Sequence, residues 1–470
     1  MDLKKGNLIE LEISSYAFEG KGIAKIDKDE KKNFVIFVHH SYPGDKVVAK
    51  LTKVKNSYAE AVVDKLLIPS NERTKARCKF FGTCGGCRQQ DLDYPAQLRY
   101  KHEQVKDIFE RLGGFTDFIL EDIIPSNNIF HYRNKMEFSF ADRRWLTSED
   151  MNKEITDSNF ALGFHLPGIF SKVLDIDECF LQSELSNKIL NLTRDFFKSR
   201  GTNIYSTRTH EGFLRNLVLR QSYSSDDLMV NLVTSNEDDE LIKEYSDALI
   251  KSVPQITTIV NNINLKKAAI AVGDYEKIYL GSGTIFDTIG KYRFRISANS
   301  FFQTNTLQAE KLYETALDFA DLNKDEIVYD LYSGAGTISI FISDHCKQVF
   351  AFETVESAIK DAGENNLLNN IQNVQYITAD LNKSFLEKTL SLPKPDVVIL
   401  DPPRSGMNPV TVKDVASLSP KKIVYVSCNP TTQVRDIKLF TQEGYSLIKV
   451  KPVDMFPHTY HIENVALLTK

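Results

Sequence analysis

The arrangement of apolar and polar positions changes character twice along the chain. In residues 1–66 the stretches IELEISSYAFEGKGIAKI, NFVIFVHHSYPGDKVVAKLTKV and SYAEAVVDKLL alternate apolar with polar residues around Glu19-Gly20, Lys21-Gly22 and Pro43-Gly44. Period-two alternation with turn residues about every 8–12 positions predicts half-buried strands closing into a small OB-like β-barrel. Residues 67–290 form a mixed α+β region. It opens with a cysteine-bearing loop at 78–90, then a helical stripe over 94–112 through Leu98, Val105, Ile108 and Leu112, stopped by Gly113-Gly114. The strand-like runs MEFSF, FALGF, LRNLVLR, LMVNLV and TIVNNIN follow, with one helix near 182–198. In residues 291–470 the runs EIVYDLYSG, QVFAFE, VQYITA, DVVILD and KKIVYVS are continuously apolar and separated by helical stretches. Such runs are strands buried on both faces of a parallel sheet, so this part is expected to be Rossmann-like. Two strands at hairpin spacing, YSLIKVKPVDMF and HIENVALLTK, close the chain. The expected fold class is a multidomain α/β protein with domains at 1–66, 67–290 and 291–470. The 94–112 helix is expected to pack on the last of them.

Composition sharpens this picture. At 470 residues the chain exceeds the roughly 250–300 at which single cores stop growing, and 42% hydrophobic with 26% charged residues excludes wholesale disorder. A net charge of −5 speaks against a nucleic-acid partner, but it is unevenly spread. Residues 1–77 hold 15 Lys/Arg against 11 Asp/Glu, a net of +4, which leaves −9 on the remainder. The leading module is therefore expected to make a salt-sensitive contact with phosphates. No apolar run is long enough to span a membrane, and the opening MDLKKGNLIELEI lacks the apolar core of a signal peptide. A cytoplasmic monomer without an obligate protein partner is expected. Its six cysteines would then be reduced, and act as ligands, nucleophiles or core residues.

Three thiols fall within ten residues as Cys78-x5-Cys84-x2-Cys87, and the glycines between them allow the backbone to wrap closely. Zinc and iron–sulfur clusters both take thiolates. An irregular three-plus-one set with Cys179 leans toward [4Fe–4S], because zinc ligands usually come as two CxxC-like pairs. Cys346, in a helix-to-strand turn, is expected only to pack. The strand EIVYD leads into Leu331-Tyr332-Ser333-Gly334-Ala335-Gly336-Thr337, and Glu353 ends the next strand 23 residues after Asp330. Glycines at a strand–helix turn with a carboxylate at the neighbouring strand tip suit a ribose-bearing cofactor. That pair leaves a nicotinamide cofactor and S-adenosylmethionine open; Ser339 in place of a third glycine tips the reading toward S-adenosylmethionine, with Asp380 in YITAD placed to receive adenine. Asp401-Pro402-Pro403-Arg404 and Ser427-Cys428-Asn429-Pro430 end the fourth and fifth strands, where open parallel sheets bind ligands. Cys428 suits a nucleophile, and Glu463 in the apolar run IENVALL suits a base whose desolvation makes it a better proton acceptor. Phe301 and Phe302 beside Gln303 suit stacking on a base, and the basic–aromatic run His131-Tyr132-Arg133-Asn134-Lys135 suits an RNA surface.

DLYSGAGT, LDPPRSG, YVSCNP and PHTYHIE, preceded by SANSFFQTN, resemble the bacterial RNA uracil-C5 (5-methyluridine) methyltransferases. The cysteine loop and a leading barrel of the TRAM type resemble the ribosomal-RNA branch, which carries a [4Fe–4S] cluster. The resemblance implies methylation of C5 of a uridine in 23S ribosomal RNA, with Cys428 as nucleophile and Glu463 as base. It implies S-adenosylmethionine among Gln303, Tyr332, Gly334, Thr337, Glu353, Asp380 and Asp401. It also implies the uracil near Phe301, Gln303, Asp401 and Arg404, and the cluster on Cys78, Cys84, Cys87 and Cys179. Thr337 stands where many relatives carry Asn. A transfer-RNA T-loop uridine is the rival substrate. A non-catalytic iron–sulfur RNA-binding protein is a rival of another class, and it would be expected to lack the thiol, the base or the glycines.

Overall fold

A computed structural model describes residues 3–28, 31–147, 150, 158–267 and 270–470. Strands β1 (Leu8–Glu12), β2 (Ser15–Ala17), β3 (Lys21–Lys28), β4 (Lys31–His39), β5 (Lys46–Val54) and β6 (Tyr58–Ile68) form a six-stranded sheet in the order β1-β5-β6-β4-β3-β2. The alternating residues converge, so that Ile9, Leu11, Ile36, Val38, Val47, Ala49 and Ala61 share one core. The expected strands and core are present. The ladder itself runs from β1 to β2 as an open order, without a pairing that joins its two ends among the described residues.

Helix α1 (Tyr94–Asp107) is capped by Asp93, which accepts from the Ala96 amide, and runs on as a π-helical turn at Ile108–Gly113. The expected stripe is only partly the buried one. Val105, Ile108 and Phe109 join the core of the C-terminal sheet, whereas Leu112 is 53% exposed. The wider π turn rotates the face by an extra residue. In place of a purely apolar stripe, α1 buries Gln97, Lys101 and Gln104. The chain then adds β7 (Ile119–Leu120) to the edge of that same C-terminal sheet.

The central part is a seven-stranded sheet of β8 (Lys135–Ala141), β9 (Ala161–Leu166), β10 (Ile169–Asp175), β11 (Leu214–Gln221), β12 (Leu228–Thr234), β13 (Thr258–Ile263) and β14 (Tyr275–Leu280). Its order is β10-β9-β8-β11-β12-β13-β14, with α2 (Glu184–Ser199) and α3 (Asp239–Ser252) packed on it. Helix α3 was not among the sequence expectations, although Asp238 caps it and Ile242, Tyr245 and Leu249 form its buried stripe.

A hairpin of β15 (Thr284–Ile289) and β16 (Tyr292–Ser297) spans residue 290, and its Ile285, Ile289, Phe294 and Ile296 join a core shared with the C-terminal sheet. Helix α4 (Thr306–Ala320) then leads into β17 (Ile327–Leu331), α5 (Thr337–Ile342), β18 (Gln348–Glu353), α6 (Glu356–Leu368), β19 (Val374–Thr378), β20 (Val397–Leu400), α7 (Pro409–Leu418), β21 (Lys422–Ser427), α8 (Pro430–Gln442), β22 (Ser446–Val453) and β23 (Glu463–Thr469). The sheet order is β19-β18-β17-β20-β21-β23-β22-β7. Strands β17 to β21 are parallel; β17, β18, β20 and β21 are almost wholly buried, as their continuous apolar runs predict, whereas the edge strand β19 buries only Val374, and β23 is antiparallel to both neighbours. The order reverses at β17, so the crevice beyond β17 and β20 is the expected ligand site.

Candidate active site and cysteine loop

A cavity of about 920 Å³ opens at that crevice. It is lined by Phe301, Gln303, Tyr332, Gly334, Thr337, Glu353, Asp401, Arg404, Cys428 and Glu463, ten of the sequence candidates in one place. Asp380 is the exception. The chain turns immediately after β19, so its exposed carboxylate accepts from the Asn382 amide and pairs with Lys383 at 3.2 Å, outside the cavity. Phe302 is buried in the core, which leaves the 71%-exposed Phe301 as the ring free to stack on a ligand. Cys346 is buried and packs, as expected.

The wall at the end of β17 is shaped by backbone conformation. Tyr332 has φ +67°, unusual for a residue with a side chain, and both its amide and that of Ser333 donate to Phe352 O. Gly336 has φ +77°, and a Cβ there would lie 2.1 Å from Tyr376 Oη, so only glycine fits. A Cβ on Gly334, by contrast, would meet nothing within 4 Å, leaving open space at the tip of the turn. The Gly334 amide donates to Glu353 Oε2 at 2.9 Å, and Oε1 accepts from the amides of Thr354 and Val355. That carboxylate is thus fixed at the cavity wall beside an open cradle, as the binding of a ribose and its attached groups requires. Thr337 Oγ1 lies 2.8 Å from the hydroxyl of Tyr313, a lining residue that no sequence motif singled out. Asp330, fully buried at the strand end, accepts from Ser339, and desolvation pushes its carboxyl up to about 7.

The opposite partners are set by register. Ser427 of β21 pairs with Asn464 of β23. Carrying the antiparallel register one residue further sets Cys428 across from Glu463, although they are 35 residues apart in sequence. Burial raises the Cys428 thiol to about 12, Glu463 and Asp401 push in the same direction, and Arg404 opposes them. Burial also holds the Glu463 carboxyl well above its usual value, reinforced by Asp401, and lifts Asp401 to about 7. The loop between β22 and β23 adds Phe456, Thr459 and His461 to the lining. These three carry no role in the sequence expectations, although His461 and Glu463 stand at the two-residue spacing of one strand face. Arg133, from the basic–aromatic run, also lines the cavity.

Cys78, Cys84, Cys87 and Cys179 line a second cavity, of about 480 Å³, whose wall at Gly85, Gly86 and Arg133 is shared with the first. Among the described residues, no group of three or more His, Cys, Asp or Glu converges as a single metal ion would require. Desolvation raises all four thiols, and N–H groups point at their sulfurs: the Gly86 amide at Cys84 (3.4 Å), Gln90 Nε2 at Cys87 (3.3 Å), and backbone amides at Cys78 and Cys179. Such donors favour the thiolate form of these groups against the cost of burial. No helix among the described residues is long and apolar enough to cross a membrane.

Comparison with known proteins places this geometry in context. The family profile described as tRNA (uracil-5-)-methyltransferase matches residues 221–470, and the TRAM domain profile matches residues 2–63. An uncharacterized RNA methyltransferase of Chlorobaculum tepidum is 42% identical over 98% of this chain and 96% of its own length. One from Bacteroides thetaiotaomicron is 41% identical over 96% and 99%. Among solved structures, the tRNA (uracil-54, C5)-methyltransferase of Pyrococcus abyssi in complex with S-adenosyl-L-homocysteine superposes with a TM-score of 0.74. It is 30% identical and covers 98% of this chain and 99% of that one.

Proposed function

Because this chain belongs to the tRNA (uracil-5-)-methyltransferase family and is an S-adenosylmethionine-dependent RNA methyltransferase, we propose that it methylates C5 of a specific uridine in 23S ribosomal RNA through a covalent bond from Cys428 to C6. The observation that carries this reading is the meeting of Cys428 and Glu463 across neighbouring strands, in the cavity that also holds Gly334 and Glu353.

Uracil C5 is a weak nucleophile. Attack of Cys428 Sγ on C6, with the thiol proton passing to solvent, forms the S–C6 bond and shifts the C5=C6 electron pair toward C5 and O4, which makes C5 carbanion-like. S-adenosylmethionine supplies a methyl group on sulfonium sulfur that such a carbon can take; Gln303, Tyr332, Gly334, Thr337, Glu353 and Asp401 would hold it. The C5 proton then leaves to Glu463, the C5=C6 bond re-forms, and the S–C6 bond breaks to free Cys428. Burial serves both groups. It raises the Cys428 thiol, which makes the thiolate a strong nucleophile once formed, and makes the Glu463 carboxylate a strong proton acceptor. The target base must leave its stack to arrive here, and the exposed Phe301 ring beside Gln303 and Arg404 would receive it. The six-stranded N-terminal sheet, with the charge of residues 1–77, would hold the surrounding phosphates.

The four cysteines would carry a [4Fe–4S] cluster, which ties residues 78–87 to residue 179 and takes no part in the methylation steps. The N–H groups directed at sulfur support a thiolate-bound centre, and the irregular three-plus-one spacing supports a cluster over a single zinc ion.

A second reading is favoured by the Pyrococcus abyssi structure, whose match extends over the N-terminal sheet and cysteine loop: the substrate is a transfer-RNA T-loop uridine. Side-by-side methylation of 23S ribosomal RNA from a deletion strain and of unmodified transfer RNA, with labelled S-adenosylmethionine, separates the two. Label confined to 23S RNA supports the first reading and label confined to transfer RNA the second. Label in neither overturns both.

A further inference from the structure

The loop of residues 454–462, between β22 and β23, brings Phe456, Thr459 and His461 to the catalytic cavity and delivers the chain to Glu463. Three of its successive carbonyls accept hydrogen bonds from residues more than 300 positions earlier. Lys101 Nζ donates to Phe456 O at 3.1 Å, Tyr132 Oη to Pro457 O at 3.1 Å, and the Arg88 and Gln89 amides to His458 O at 2.8 and 3.0 Å. His458 is buried, stacks on Phe130 at 4.5 Å, and holds φ +66°, a left-handed conformation that a residue with a side chain seldom adopts unless its surroundings impose it.

Gln97 is the joint of this clamp. It is fully buried in α1, and its Oε1 accepts from the His458 amide at 2.8 Å. Its Nε2 lies 3.2 Å from His458 Nδ1 and donates to Gln89 O at 2.9 Å and Leu92 O at 2.8 Å. One amide group therefore joins the tail of the cysteine loop to the backbone and ring of the strained residue. Neither Cys428, at the end of β21, nor the cofactor wall at β17 and β18 hangs from this loop.

We propose that Gln97 is a positioning residue for the proton-removal step, acting by holding the 454–462 loop so that Glu463 and the groups beside it meet C5. The inference rests on the proposed role of Glu463. Loss of Gln97 would leave thiol addition and methyl transfer running but slow the release of RNA. The signature is a methylated RNA–protein complex that accumulates on ordinary, unfluorinated RNA.

The test uses full-length Glu463→Gln, Gln97→Met and Tyr132→Phe proteins with total RNA from a deletion strain and [methyl-3H]S-adenosylmethionine, resolved on denaturing gels. Gln97→Met keeps the volume and removes the amide; Tyr132→Phe removes one hydroxyl and keeps the fold should the first variant fail to express. All three should accumulate labelled complex. For Gln97→Met the turnover rate should fall about 10²-fold, as for a misplaced catalytic group. For Tyr132→Phe it should fall about three- to tenfold, as for one lost hydrogen bond. S-adenosylmethionine affinity should stay unchanged. If Glu463→Gln accumulates complex while Gln97→Met and Tyr132→Phe turn over normally, or lose methylation without accumulation, the positioning role is overturned. If Glu463→Gln itself accumulates none, the assignment of Glu463 as base falls, and the inference falls with it.

Discussion

Lys101 and Asp454 form an ion pair at 2.6 Å in which neither side chain reaches solvent. Lys101 also donates to Phe456 O, and Asp454 accepts from Tyr94 Oη at 2.9 Å, so the pair rivets α1 to the start of the 454–462 loop. Replacing Lys101 by methionine leaves a carboxylate in a dry interior with one hydroxyl for company. Removing one partner of a buried pair typically costs about 3–5 kcal/mol. In a cooperative unit of roughly 150–250 residues each kcal/mol lowers Tm by about 2–4 °C, so Lys101→Met should melt roughly 6–20 °C below the native protein. The double variant Lys101→Met with Asp454→Leu removes both charges and keeps the volume. It should recover most of the loss, because apolar replacement of a whole buried pair is often neutral or better. Tyr94 keeps a partner there, since its oxygen also accepts from the Ser126 amide. Scanning calorimetry of the three proteins reads this directly. A single variant that melts with the native protein, or a double variant as unstable as the single, refutes the reasoning.

Four further outcomes are expected. Because the Cys428 thiol is pushed from 9.0 to about 12, its alkylation by iodoacetamide at pH 8 should run about 10³-fold slower than that of an unperturbed thiol; a peptide-mapped rate equal to that of free cysteine contradicts this. Asp330 keeps its proton to about pH 7 in the folded chain but only to 3.8 when unfolded, so stability falls as pH rises through that window. Asp330→Asn should flatten the decline and be more stable than native at pH 8, by up to about 4 kcal/mol, and an unchanged pH slope in urea titrations counts against it. Gly336→Ala, whose Cβ would meet Tyr376 Oη, should weaken S-adenosylmethionine binding at least about tenfold by calorimetry. Gly363→Ala on α6, where a Cβ meets nothing within 4 Å, should leave binding unchanged and add about 0.5–1 kcal/mol of stability.

The parallel core was legible in the sequence because strands buried on both faces leave continuous apolar runs, and β17, β18, β20 and β21 fall where those runs lie. Cys428 and Glu463 were legible as chemistry-bearing residues in distinctive motifs, but their meeting was not. It depends on β23 entering antiparallel beside β21, a register set by tertiary packing. Helix α1 shows the converse difficulty. Gln97, Lys101 and Gln104 are polar and stand off the predicted apolar stripe, yet all are buried. For Gln97 and Lys101 the partners lie in a loop more than 300 residues away, and for Gln104 the partner is Ala17 O of the N-terminal sheet. Their burial was invisible without those partners. Asp380 stands outside the cavity for a local reason: β19 ends at Thr378, and the following turn uses the carboxylate to bond its own backbone.

The central claim, a covalent route through Cys428, is tested most directly with RNA containing 5-fluorouridine. Fluorine cannot leave C5 as a proton, so Glu463 cannot complete release and the S–C6 bond should persist. The account predicts a methyl-labelled RNA–protein complex stable on denaturing gels. Its cross-linked peptide should contain Cys428, and the complex should be absent with Cys428→Ala. A native protein that forms no such complex, or a Cys428→Ala protein that still methylates uridine at the native rate, would contradict it.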